Sequence, residues 1–158
     1  MVRTLITPVL FLLALPSTAH EYAVGGLSII HPYVIATAPN APVAGAYMTI
    51  VNTGGDDVLL SAEVPDTKAG LVRLHDTSIE DGIMRMIEVE GGIPIPAGQT
   101  VTLESGGLHL MLMQLPQGLA DGDLVPATLT FQEAGDVQAV FLVQDRDAAV
   151  TGHHGHGG

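Results

Sequence analysis

Turn signals recur every few residues along this chain: Gly25-Gly26, Asn52-Thr53-Gly54-Gly55, Pro65-Asp66, Asp81-Gly82, Gly91-Gly92, Pro96-Ala97-Gly98, Gly106-Gly107, Asp121-Gly122-Asp123 and Gly135. Glycine and proline at that density break or cap helices before they lengthen. Between the turns lie short apolar and β-branched runs. They read as strands near Leu27–Ile30, Ala46–Asn52, Val58–Ala62, Leu71–His75, Ile83–Val89, Thr100–Leu103, Leu108–Leu115, Ala127–Gln132 and Val137–Val143. Many short strands at this spacing predict an all-β fold, an antiparallel sandwich or barrel. No long amphipathic helix, internal repeat or second domain is visible.

The two ends read differently from the middle. Residues 1–19 have the form of a secretory signal: Arg3, an apolar run from Leu5 to Leu15, then the small residues Ser17-Thr18-Ala19. That run is too short to span a bilayer as a helix, so no membrane span is expected after cleavage. Cleavage after Ala19 leaves one domain, residues 20–145, long enough for a real core. Residues 146–158 lose the strand pattern and end Gly152-His153-His154-Gly155-His156-Gly157-Gly158, which predicts a flexible His-rich tail.

Composition excludes several functions. There is no cysteine, so no thiolate nucleophile, cysteine-ligated cluster or cysteine-ligated blue-copper centre is possible. The formal charge is −12, and loss of Arg3 with the signal makes it one unit more negative. Such a surface repels phosphate backbones, so nucleic acid is excluded as a partner.

The stretch from His75 to Met113 carries the chemistry. Four of the six methionines and two of the seven histidines lie in it. Leu108-His109-Leu110-Met111-Leu112-Met113 alternates strictly, so as a strand it puts His109, Met111 and Met113 on one side and the leucines on the other. Met84 and Met86 share a face for the same reason. Ten residues separate His75 from Met86, and twenty-two separate Met86 from His109. Hairpins can bring these pieces together, with a loop at Thr77–Gly82 and a return through Gly91–Gly107. Two imidazoles and two thioethers suit copper(I), which prefers soft or borderline donors. Hard cations want oxygen, and zinc gains little from methionine sulfur. A methionine in an apolar strand is more often gap-filling core, which is the reading for Met48. His-x-Met on one strand face, with a second His and Met upstream, is harder to explain by packing.

The spacing resembles the periplasmic copper chaperones of the PCu(A)C family, whose motif is His, ten residues, Met, about twenty-one residues, then His-x-Met. The likeness extends to His20-Glu21-Tyr22, His31-Pro32-Tyr33, Ala46-Tyr47-Met48-Thr49-Ile50-Val51-Asn52-Thr53-Gly54 and Gly106-Gly107-Leu108-His109-Leu110-Met111-Leu112-Met113. The resemblance implies copper(I) ligands at His75, Met86, His109 and Met111; Met84 and Met113, which taken alone read as core, are accessory candidates by their shared strand faces. It implies a cupredoxin-like Greek-key sandwich, a carrier rather than an enzyme, and a periplasmic location. The implied partner is a copper-accepting periplasmic or membrane-anchored protein, an oxidase subunit or Sco-like assembly factor of cytochrome c oxidase. Two departures stand out. The second gap is one residue longer, and Asp76 stands where some members have another methionine.

Other histidines extend the expectation. Cleavage would give His20 a free α-amine beside its imidazole, a chelate for copper(II). His153, His154 and His156 offer further nitrogen donors to copper(II). His31 precedes Pro32 in extended backbone and reads as structural. Two rival functions use the same residues: a copper monooxygenase built on His20 with a second histidine, and a copper buffer with no dedicated partner.

Overall fold

The computed structural model describes residues 21–151. The signal segment, His20, His153, His154 and His156 lie outside the described residues. In chain order the elements are β1 (Glu21–Val24), β2 (Leu27–Ile35), β3 (Val43–Asn52), β4 (Asp57–Glu63), β5 (Leu71–Glu80), β6 (Ile83–Glu88), β7 (Ile93–Ile95), β8 (Thr100–Leu103), β9 (His109–Met113), β10 (Leu124–Phe131), β11 (Gly135–Gln144) and α1 (Arg146–Thr151).

Hydrogen-bonded neighbours run β6-β5-β9-β3-β2-β11-β10-β4-β7, with β1 added to β2 and β8 to β3. The order ends at β6 and β7 without closing, so the fold is a sandwich and not a barrel. The consecutive strands β4 and β5 lie far apart in this order, which is the long crossover of a Greek key. One ladder departs from the antiparallel expectation. β11 and β2 run parallel from Leu142↔Tyr33 to Gln144↔Ile35. These strands are distant in sequence, so no tight hairpin constrains their direction.

Alternation builds the core. Ala44, Ala46, Met48 and Ile50 of β3 point inward with Leu110 and Leu112 of β9. Across from them lie Val125, Leu129 and Phe131 of β10 and Ala139, Phe141 and Val143 of β11, all in one cluster. Met48 is core, as its strand phase predicts. The buried Asp57 carboxylate accepts bonds from the backbone N–H groups of Val58, Glu133 and Ala134, tying the start of β4 to the β10–β11 turn.

Four local features differ from the sequence reading. His31, expected in extended backbone, has a φ of 50° where the β2–β3 register shifts between Ile30 and Tyr33. β5 continues past His75 to Glu80, so Thr77–Gly82 is mostly strand. The turn is only Asp81-Gly82, with φ of 53° and 77°. Two successive positive φ values are the tight hairpin turn whose twist matches its flanking strands, and Asp-Gly is its preferred pair. β1 and β7 are short strands paired on β2 and β4 that the apolar runs did not reveal. Residues 146–151, expected to lack structure, form α1 because Ala149 is buried against Tyr33 and Tyr47.

Candidate metal centre

Register arranges the chemistry in rows across the outer face of β3, β9, β5 and β6. The central row is Tyr33 opposite Tyr47, then His109 opposite His75, then Glu88. Toward one side lie Gly45, Met111 and Arg73, then Val43, Met113 and Leu71. Toward the hairpin tip lie Thr77 opposite Met86, then Ile79 opposite Met84. The alternation that sends Leu74, Leu110 and Leu112 into the core sends His75, His109 and Met111 to this face.

The two histidines meet directly. Their ring centroids are 5.7 Å apart and the planes stand at 84°. With a metal–nitrogen bond of about 2.0 Å, two imidazoles on one ion have centroids roughly 5 to 6 Å apart. His109 is only 3% exposed. Its Nδ1 lies 2.8 Å from the Gly107 carbonyl. A carbonyl only accepts, so Nδ1 carries the proton and Nε2 holds the free lone pair. Among the described residues, His109 Nε2 and His75 Nδ1 are buried nitrogens with no hydrogen-bond partner. Unsatisfied buried nitrogens are costly, and one metal ion held between them would satisfy both.

The thioethers flank this pair. Met111 is diagonal to His75 on the Arg73 side, and Met86 is diagonal on the Thr77 side. Diagonal neighbours lie within reach of long side chains. Met86 is 58% exposed, whereas Met111 is partly buried. Met84 and Met113 lie one row further out in opposite directions. The structure therefore brings the imidazoles together and places two methionines beside them and two more at the margins.

The surroundings of His75 favour its neutral ring. Burial holds the His75 pKa below its ordinary value of 6.5; His109 adds to this, Glu88 opposes it and Arg73 again lowers it. Glu88 and Arg73 pair at 3.5 Å, both about half exposed, which is worth little by itself. Burial pushes the phenols of Tyr33 and Tyr47 up, so both stay neutral walls. Among the described residues no three His, Cys, Asp or Glu side chains cluster, so the face offers no hard-ligand cage.

Sequence reasoning missed Tyr47, Gly107 and Glu88. Tyr47 stands out only by phase, since it points away from its core neighbours Ala46 and Met48. Gly107 acts through a backbone carbonyl, which no residue type announces. Glu88 was legible only once His75 had a cross-strand partner.

The β-sandwich is cupredoxin-like, and one face of it sets an imidazole pair with methionines on either side. Residues 27–143 match the family described as "Putative lipoprotein LpqE-like", and the chain belongs to that family and to the PCu(A)C group of copper-binding domains. A relative from Leifsonia xyli subsp. xyli (strain CTCB07), "Putative lipoprotein Lxx21020", is 30% identical over 118 residues, 75% of this chain and 70% of that protein. The solved "Copper-bound PCuAC domain from PmoF2" is 29% identical, with a TM-score of 0.67 over 80% of this chain and 98% of its own. The solution structure of CuI-DR1885 from Deinococcus radiodurans is 27% identical, with a TM-score of 0.58 over 82% of this chain and 84% of its own. No helix among the described residues is long and apolar enough to cross a membrane.

Proposed function

We propose that this protein is a periplasmic copper chaperone that carries copper(I) on His75, Met86, His109 and Met111. The observation that carries the reading is the imidazole pair, with two orphaned nitrogens on a face flanked by thioethers. Imidazole with thioether suits copper(I) above hard cations. The copper-bound PCuAC domain and CuI-DR1885 support the choice of metal. Lipoprotein relatives support export, in keeping with the signal-like residues 1–19.

Exposure favours a chaperone over a buffer. Met86 sits on the open edge strand, so an acceptor can displace one thioether while the imidazoles still hold the ion. By family resemblance the acceptor is a cytochrome c oxidase subunit or a Sco-like assembly factor. The ends of the chain, His20 and the histidines 153, 154 and 156, hold copper(II) with nitrogen donors. The monooxygenase alternative needs His20 packed beside a second histidine, and His20 lies outside the described residues.

The test is competition between the protein and a copper(I) chelator. Met86→Leu/Met111→Leu conserves volume and keeps the fold. It should lower copper(I) affinity by about a hundredfold or more, beyond the loss typical of outer-shell changes. Unchanged affinity in the double variant would remove both methionines from the ligand set.

A further inference from the structure

Met111 faces a glycine across the sheet. Gly45 lies inside β3, a ten-residue strand, where glycine weakens pairing and marks a close approach. Its φ is not among the positive values, so backbone freedom does not explain it. What approaches is Tyr47. A Cβ on Gly45 would lie 2.8 Å from Tyr47 Cζ and 3.2 Å from Cε2, and closer still to the hydroxyl. The hydroxyl end of the phenol therefore lies over the bare backbone of Gly45.

Tyr47 is fixed on every other side as well. Tyr33 packs against it with centroids 5.3 Å apart, and His109 stands 6.2 Å away on the other flank. Ser105 lies by its hydroxyl and works against the upward push of burial on the phenol. The same loop supplies the Gly107 carbonyl that takes the His109 Nδ1 proton. Ala149 of α1 covers the two tyrosines.

We infer that Tyr47, seated on Gly45, is a positioning residue of the metal centre. It holds the His109 ring with Nε2 turned toward His75 and closes the β3 side, leaving the hairpin side as the route for the ion. One hydrogen bond at Nδ1 fixes the tautomer but leaves the ring free to rock about that bond; the packed phenol removes that freedom. Neutral, pinned aromatic bulk is suited to this and adds no competing donor. The inference rests on reading His75 and His109 as the copper pair.

The experiment uses Tyr47→Ala, Tyr47→Phe, Gly45→Ala and the double variant Gly45→Ala/Tyr47→Ala. Two readouts are taken: the imidazole nitrogen NMR spectrum of the metal-free protein, and copper(I) affinity by chelator competition. Tyr47→Ala should leave the Nδ1-protonated tautomer in place but broaden the His109 ring resonances, speed exchange of its Nδ1 proton, and lower affinity roughly ten- to a hundredfold, the range for outer-shell partners. Tyr47→Phe keeps the ring and loses only the hydroxyl, so the loss should stay below about tenfold. Gly45→Ala should reproduce the Tyr47→Ala spectrum and loss, because its methyl displaces the phenol. In the double variant the methyl has nothing to displace, so the losses should not add. Tyr47→Leu replaces Tyr47→Ala if the truncated chain does not fold. A wild-type His109 spectrum and affinity in both Gly45→Ala and the truncation would overturn the inference, as would simple addition of the two losses. If the wild-type protein binds no copper(I), the copper reading fails, and the metal-free spectra still decide whether Tyr47 orders His109.

Discussion

His109 gives its Nδ1 proton to Gly107, and that one bond selects Nε2 as the donor nitrogen. His75 reaches the same end differently. Its Nδ1 has no partner among the described residues, and its surroundings favour the neutral ring, burial first. Protons compete with a metal for both lone pairs. Because the His75 pKa is held below 6.5, competition there begins on the acid side of that value. Copper(I) affinity should therefore be level above neutrality and fall as pH drops below about 6, while the thioethers do not titrate. The metal-free chain carries the same sign. Folded His75 binds its proton at lower pH than unfolded His75, so its share of stability is full above 6.5 and is lost as pH falls through the folded value. Chelator competition across roughly pH 5 to 7.5 checks the first point, and level affinity over that span would remove the imidazoles from the site.

At the scale of elements, the β5–β6 hairpin is the moving part of the argument. β6 is an edge strand with every residue exposed, and Ile79 and Met84 are 72% and 64% exposed. Beyond His75, β5 has left β9, so among the described residues the hairpin has no neighbouring strand on either edge. Such a ribbon has few buried contacts and belongs to the low-stability end of the fold. Met86 lies on the Thr77 side of the histidines and Met111 on the Arg73 side, so joining one ion requires the hairpin to draw inward. Loading with copper(I) should slow amide exchange over Thr77–Ile87, measured by mass spectrometry, with much smaller change in β10 and β11. Equal exchange in the free and loaded protein would mean that Met86 does not close on the ion. The hairpin also marks the limit of what sequence made legible. The strict alternation from Leu108 to Met113 gave its faces correctly, since a period of two has only one register that buries the leucines. Asp81-Gly82 was visible as a turn. The length of β5 was not, because Asp76-Thr77-Ser78 reads as polar loop when its pairing with Arg85-Met86-Ile87 is unknown. Strand pairing is non-local, and so are the roles of Tyr47 and Gly107.

For the whole molecule, both ends of the described chain come to one strand. Glu21 of β1 pairs with Ile30 of β2, and Ala149 of α1 packs on Tyr33 three residues further along β2. His20 precedes the first of these residues, and His153 follows the second by four. At about 3.5 Å per residue, four residues span roughly 14 Å. Tyr47, which Ala149 also touches, is 6.2 Å from His109. Nitrogen donors suit copper(II), and soft donors suit copper(I). The expected outcome is that deleting residues 152–158 lowers copper(II) binding in a titration while copper(I) binding at the central pair persists within about threefold, the additivity range for separate sites. Adding His20→Ala to the deletion should remove what copper(II) binding remains, since the two ends would share one ion. If the deletion leaves copper(II) stoichiometry and affinity untouched, the C-terminal histidines hold no metal, and the effect of His20→Ala alone then decides whether the N-terminal end binds copper(II) without them.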